Sequence, residues 1–248
     1  MSTDAEQSRR EKALVWSFGG GVQSAAIGVL VRQGKLPQPD LAVIADTGRE
    51  SQVTWTYMRE HLVPFLGFEI QVAPSSLAAV GLRSGNGDIL IPAFTSSGKL
   101  KTFCSTEWKR RVVRRYLRNA GIGSCRMWLG ISTDEVQRAK PSGVEWIEHH
   151  FPLLFDHPMT RAECVQLVLS AGLPMPPRSS CWCCPHRSDS EWRGLPADEF
   201  QMAVELEREI RATDEGIYLH RSRQPLDQVD LVDRQGSVLE VCDGYCWT

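Results

Sequence analysis

The chain has 248 residues, with 28 Lys and Arg against 30 Asp and Glu, a formal net charge of −2 and 42% hydrophobic residues. That is enough for one α/β domain with a smaller module appended, and any affinity for an anionic polymer has to come from a local patch. No apolar run reaches the roughly 20 residues of a membrane helix and Met1 to Lys12 lacks the apolar stretch of a secretory signal, so a cytoplasmic location with no membrane partner is expected.

Ala13-Leu14-Val15-Trp16 has strand character, and Ala25 to Leu30 has helical composition and spacing. Between them lies Ser17-Phe18-Gly19-Gly20-Gly21-Val22-Gln23-Ser24. Three consecutive glycines let the backbone approach a ligand closely, and the first N–H groups of the following helix are unpaired and suited to an anion. A tight strand-to-helix turn with no ligand has the same local pattern. The commoner nucleotide loops are excluded, because neither G-x-G-x-x-G nor a Lys-Ser/Thr after the last glycine is present.

Leu41 to Ala45 reads as a second buried strand ending in Asp46-Thr47-Gly48-Arg49-Glu50, where polar residues face the crevice of an open α/β sheet. Ser51 to Leu66 reads as a helix with Trp55, Met58 and Leu62 on one face, and Phe68 to Val72 as a third strand. This alternation predicts a Rossmann-like open parallel sheet with helices on both faces. Ser75 to Phe103 has weak periodicity and is expected to be a mobile loop over the site. Cys104 to Asn119 then reads as a basic helix carrying Lys109, Arg110, Arg111, Arg114, Arg115 and Arg118. Its positive field suits the phosphates of ATP or of a nucleic acid, although a solvated helix face is the plainer reading. Arg126 to Leu129 is a further buried strand running into Gly130-Ile131-Ser132-Thr133-Asp134-Glu135-Val136-Gln137-Arg138, where Glu135 and Arg138 share one side of a helical turn and either pair or meet substrate.

Composition changes at Phe151. A capping box at Thr160 and Glu163 opens a helix to about Ala171 that carries Cys164. A proline-rich connector then delivers Cys181-Trp182-Cys183-Cys184-Pro185-His186. Eight cysteines in a chain without a signal read as metal ligands or catalytic thiols rather than disulfides. Cys181 and Cys184 have the C-x-x-C spacing that lets one turn supply two thiolates, and Cys242 and Cys246 form a second pair, with Cys104 and Cys164 also available. Four thiolates on structural zinc, or buried free cysteines, satisfy the same pattern. Cys125 reads as core, Cys183 has no assigned role, and His186 is either a ligand or hydrogen-bonded nearby. Pro196 to Ile210 is an amphipathic scaffold helix, and Asp227 to Glu240 has strand-like stretches.

Taken in order, the loop at 17–24, D-T-G-x-E at Asp46 to Glu50, C-S/T-x-x-x-K at Cys104 to Lys109, G-I-x-x-D-E-x-x-R at Gly130 to Arg138 and the cysteine module resemble the PP-loop ATP pyrophosphatases. The resemblance is to the phosphoadenosine-phosphosulfate-reductase-like branch and its thiolation enzymes with iron–sulfur clusters. Gly19 stands where that loop usually has serine and Gln23 where it usually has aspartate. The resemblance implies a nucleotide-binding domain over 1–150 and a helical, cysteine-rich module over 151–248 packed on it. It implies ATP and Mg²⁺ held by Ser17, Phe18, Gly19, Gly20, Gly21, Gln23, Ser24, Asp46, Thr47, Gly48 and Gly130, with Asp46, Lys109, Glu135 and Arg138 in catalytic roles. A 4Fe-4S cluster on Cys104, Cys181, Cys184 and Cys246 is implied, with zinc the alternative. The activity it implies is AMP- and pyrophosphate-forming sulfur transfer to nucleic acid, with DNA phosphorothioation ahead of tRNA thiolation, a cysteine desulfurase as donor and a homo-oligomer as an open possibility. The alternatives are a phosphoadenosine- or adenosine-phosphosulfate reductase, whose E-C-G-x-H thiol motif is not found in this sequence, and a nucleotide-binding subunit that does not hydrolyse ATP.

Overall fold

The computed structural model describes residues 12–231. Cys242, Cys246 and most of the strand-like stretch expected over 227–240 lie outside them. In chain order the elements are β1 (Ala13–Ser17), α1 (Val22–Arg32), β2 (Leu41–Ala45), α2 (Gln52–Tyr57), a π turn (Met58–Leu62), α3 (Val63–Leu66) and β3 (Gln71–Ala73). A 3-10 turn (Ser75–Leu77), β4 (Phe94–Thr95), β5 (Gly98–Lys99) and a π segment (Ser105–Arg110) lead into α4 (Arg111–Asn119) and β6 (Cys125–Trp128). Then come a 3-10 turn (Thr133–Arg138), β7 (Ile147–His150), α5 (Pro152–Phe155), α6 (Arg161–Ser170), α7 (Asp189–Arg193), α8 (Ala197–Thr213) and a last 3-10 turn (Leu226–Gln228). The helix expected over Ser51 to Leu66 is present from Gln52 to Leu66, with a π turn in its middle. Pro64, with no N–H for the carbonyl four residues back, sits just after that turn.

The chain forms two compact units, one of residues 12–44, 56–73 and 113–177, the other of 45–55, 74–112 and 178–231. In the first, five strands form a sheet in the order β3-β2-β1-β6-β7, with the pairs β1–β2, β1–β6 and β6–β7 parallel. Val15, Trp16, Val43, Met127 and Trp128 are buried, as near-continuous apolar runs require when helices cover a parallel sheet. The chain steps from β1 to β2 and β3 on one side and returns to β6 on the other. The strand order therefore reverses between β1 and β6, where open α/β sheets bind ligands beyond the strands' carboxyl ends.

Helix α1 is buried nearly all round, and at Gly28 a Cβ would lie 3.0 Å from the Trp16 ring and 3.1 Å from Leu66. Helix α6, which composition grouped with the cysteine module, packs on α1. Its expected capping box is present, with Thr160 Oγ1 accepting the Glu163 N–H. Strand β7 was not foreseen, because its sequence Ile-Glu-His-His carries little apolar signal; Glu148 pairs there with Lys12 and Arg126 on an exposed face.

The second unit is built on a cluster including Ile89, Leu90, Trp108, Trp192, Ile210 and Leu219. Here the expected mobile loop is corrected. Ile89, Leu90, Ile91 and Ala93 are buried, Leu90 O accepts the Phe103 and Cys104 N–H groups, and Phe94 and Tyr218 exchange two backbone hydrogen bonds. Its partners are distant in sequence, so no local period announces them. On α8, Ala203, Leu206 and Ile210 face inward as expected, joined by two buried carboxylates. Glu199 accepts the Ser51 hydroxyl and the Gln52 N–H, both at 2.6 Å. Glu207 accepts the N–H groups of Leu219 at 2.7 Å and Leu226 at 2.6 Å, while burial pushes its carboxyl above the usual value.

Candidate functional site

In the first unit, the loop after β1 and the loop after β6 meet at the switch point. Phe18 N–H donates to Val43 O at 2.8 Å, carrying the β-pairing to the loop's edge. Gly20 has φ 79°, a conformation glycine adopts without strain. Ser24 Oγ accepts the Gly19 N–H at 3.0 Å, folding the loop onto the first turn of α1. The N-cap of α1, Gly21, makes no side-chain cap, so the opening N–H groups of this 11-residue helix remain suited to an anion. Ser17 Oγ is buried without a hydrogen-bond partner at the same strand end.

The second loop comes so close that a Cβ on Gly130 would lie 2.9 Å from Ser24 N. Gln23 Nε2 donates to Glu135 Oε2 at 3.0 Å and approaches Ser132 Oγ at 3.5 Å. Arg138 Nη1 meets the same Glu135 oxygen at 2.8 Å, leaving its buried Nε without a partner. Behind the loop, both Asp134 oxygens accept the Arg161 N–H at the start of α6. Ser17, Phe18, Gly19, Gly20, Gly21, Gln23, Ser24, Gly130, Glu135 and Arg138 therefore lie together where the loop after β1 meets the loop after β6. Sequence reasoning gave Ser132 no role, and Asp134, the Asp of the G-I-x-x-D-E-x-x-R element, gave no local sign that it would meet a helix beginning 27 positions later.

In the second unit, Asp46 Oδ1 accepts the Gly48 N–H at 2.7 Å, and Gly48 has φ 66°. Glu50 and Cys181 pair as an antiparallel bridge, and the Trp182 N–H donates to Arg49 O at 2.9 Å. The D-T-G-R-E segment thus lies alongside the start of the C-x-x-C. Thr47 Oγ1 is 3.4 Å from Cys181 Sγ. Glu50, 5% exposed, takes the Lys109 ammonium at 3.5 Å and the hydroxyls of Ser179 at 3.0 Å and Thr54 at 3.4 Å. A pocket opens here, lined by Thr47, Cys104, Ser105, Lys109, Cys181, Cys183 and Cys184, with Ile91, Pro92, Trp108 and Pro185 as apolar walls. Beneath it the buried Arg187 guanidinium donates to the carbonyls of Ser180 at 3.3 Å and Cys181 at 3.1 Å. Burial lowers the Arg187 pKa.

The cysteines sort by environment. Cys125 and Cys164 are fully buried in the first unit, and burial pushes their thiols up to about 11 and about 12. Cys164, one of the thiols available to a metal by sequence, is a core residue. Cys183 is likewise fully buried, its thiol raised well above the usual value by burial. Cys104, Cys181 and Cys184 retain partial exposure at the pocket. Among the described residues no three His, Cys, Asp or Glu are already arranged around one metal position, and Cys246 lies outside them. The basic helix is also more committed than its composition suggests. Lys109 pairs with Glu50, Arg111 with Glu107 at 2.5 Å, Arg114 donates to Ser142 O at 2.5 Å, and Arg118 lies 3.9 Å over the Trp146 ring.

No protein-family model matches the chain, and no curated protein matches it. Solved structures do resemble it. Phosphoadenylyl-sulfate (PAPS) reductase from Candida auris, in a phosphate complex, is 13% identical over 72% of this chain and 85% of that one, with a TM-score of 0.49. The U34-tRNA thiolase NcsA from Methanococcus maripaludis, with its [4Fe-4S] cluster, is 11% identical over 82% of this chain and 66% of that one, with a TM-score of 0.45. The geometry of the crevice and of the thiol pocket stands independently of these likenesses. No helix among the described residues is long and apolar enough to cross a membrane.

Proposed function

We propose that this chain is an ATP-dependent sulfurtransferase of the PP-loop type, forming AMP and pyrophosphate, that acts on nucleic acid, with the DNA backbone as first candidate and tRNA as second. The observation that carries it is the convergence of Cys104, Cys181 and Cys184 on one pocket with Lys109 and Thr47. In this reading the uncapped start of α1 and Arg138 hold the ATP phosphates. An oxygen of the polymer attacks the α-phosphorus, pyrophosphate leaves, and sulfur then displaces AMP.

Three thiols from two chain segments, apolar walls and a nearby ammonium fit an anionic iron–sulfur cluster, with Cys246 as fourth ligand. Such a 4Fe-4S cluster would supply or activate the sulfur. Lys109, held by Glu50, places a positive charge beside it, and Thr47 orients Cys181. A cysteine desulfurase is the natural donor, and Arg111, Arg115 and Arg118 give α4 exposed cations for a phosphate backbone.

The test follows α-labelled ATP in anaerobically purified, iron-reconstituted protein with Mg²⁺, a sulfide donor, and duplex DNA, tRNA or no polymer. AMP and pyrophosphate formed with one polymer, together with sulfur in that polymer, support the reading and name the substrate. Sulfite released from phosphoadenosine phosphosulfate would replace it with reduction, and ATP bound but never cleaved would replace it with a binding subunit.

A further inference from the structure

Apart from both sites, Asp189, His220 and Ser222 form a hydrogen-bonded chain in the second unit. His220 is 3% exposed. Its Nε2 lies 3.3 Å from Asp189 Oδ1 and its Nδ1 lies 2.8 Å from Ser222 Oγ. The backbone N–H of Ser222 also points at Nδ1, at 3.1 Å. That contact makes Nδ1 an acceptor and places the ring proton on Nε2, facing the carboxylate. The Ser222 hydroxyl then donates to Nδ1. A carboxylate fixing a histidine tautomer, with the free ring nitrogen on a serine hydroxyl, is the arrangement that activates serine as a nucleophile, recognised by geometry rather than by sequence order.

Three surrounding features suit that role. Arg221 Nη2 lies 2.9 Å from Asp189 Oδ1. Burial opposes ionisation of Asp189, but the His220 hydrogen bond and the Arg221 charge outweigh it and hold the carboxyl below its usual value. Arg223 has φ 58°, the one non-glycine positive φ among the described residues, and its N–H bonds His220 O at 3.0 Å. This strained tight turn presents Ser222 to solvent, and such strain recurs at functional positions. Finally, the exposed Arg221 and Arg223 flank the serine and favour an electrophile that carries negative charge.

We propose that Ser222 is a nucleophilic centre that reacts with small activated carboxylic esters, with His220 as general base and Asp189 as the residue that positions it. Ser222 Oγ attacks the ester carbonyl while its proton passes to His220 Nδ1. The tetrahedral adduct expels the alcohol, which takes that proton, leaving acyl-Ser222. Water, deprotonated by the same nitrogen, releases the carboxylic acid and restores the serine.

The test treats the full-length protein with an alkyl fluorophosphonate and maps adducts by peptide mass spectrometry, with Ser190 as an internal comparison. Ser190 is also exposed, and its hydroxyl meets only that of Ser188 among the described contacts, at 3.0 Å. Ser222 is expected to react at least about 100-fold faster than Ser190, the scale of a positioned general base. His220→Gln should bring the two rates together while circular dichroism stays that of the wild type, and Ser222→Ala should remove the adduct and any burst of p-nitrophenol from p-nitrophenyl acetate. Equal labelling of Ser222 and Ser190 in the unaltered protein overturns the proposal without reference to any variant.

Discussion

Gln23 Nε2 and Glu135 Oε2 lie 3.0 Å apart, so an amide in the first turn of α1 and a carboxylate in the loop after β6 are joined by one hydrogen bond. Arg138 Nη1 reaches the same oxygen at 2.8 Å. Position 23 thus supplies a donor where the resembling loops carry an acid, and the negative charge in this crevice belongs to Glu135.

Gln23→Glu would set two carboxylates against each other. A loss of about 1–2 kcal/mol of stability is expected from the lost bond and the repulsion. Urea unfolding of wild type and variant measures it; an unchanged midpoint would mean that the two side chains do not meet.

Gly130→Ala tests the approach of the two loops. A methyl 2.9 Å from Ser24 N must push backbone aside, at about 1–3 kcal/mol. Calorimetric titration with ATP should show at least about tenfold weaker binding. Unchanged affinity would place the nucleotide elsewhere.

Lys109→Met leaves the Glu50 carboxylate buried beside hydroxyls alone of the partners described here, and about 3–5 kcal/mol should be lost. Adding Glu50→Gln should recover most of it, because the uncompensated charge goes with it. Denaturant midpoints of the two single variants and the double variant close the cycle, and additive losses would count against a coupled pair.

Glu207 gives a pH signature of its own. Its carboxyl is raised in the fold by burial, so the folded protein binds its proton more tightly and this group's contribution to stability falls as pH rises above the unfolded value. Glu207→Gln removes that dependence and also loses an acceptor for one of two N–H groups, at about 1–3 kcal/mol. The gap between wild type and variant should therefore be widest near pH 4 and narrow toward neutrality, as thermal unfolding across that range would report.

Thiol reactivity should divide the cysteines. With its thiol near 11, Cys125 is about one thousandth thiolate at pH 8 and Cys164 lower still, while burial holds the Cys183 thiol well above its usual value. Brief iodoacetamide treatment of the folded protein, read by mass spectrometry, should mark Cys104, Cys181 and Cys184 ahead of these three. Early labelling of Cys164 would contradict its place in the core.

The parts of the molecule legible in sequence were those whose signal is local. Buried strands such as Leu41–Ala45, the glycines at 19–21 and the Thr160 capping box announce themselves within a few residues. The C-x-x-C likewise marked two of the four cysteines that line the pocket. What escaped was long-range. Sequence left open whether Cys164 was ligand or core, because burial is decided by helices far away in the chain. The 75–103 segment looked loose because its anchors, among them Tyr218, come more than 100 positions later. Glu199 and Glu207 sat on a face read as scaffolding, and only the fold shows that they hold the N–H groups of other segments.

The chain leaves one compact unit for the other five times, after residues 44, 55, 73, 112 and 177. Neither the anion crevice nor the thiol pocket can then be cut out as one uninterrupted stretch of gene. A recombination breakpoint that spares one unit's sequence breaks the other's.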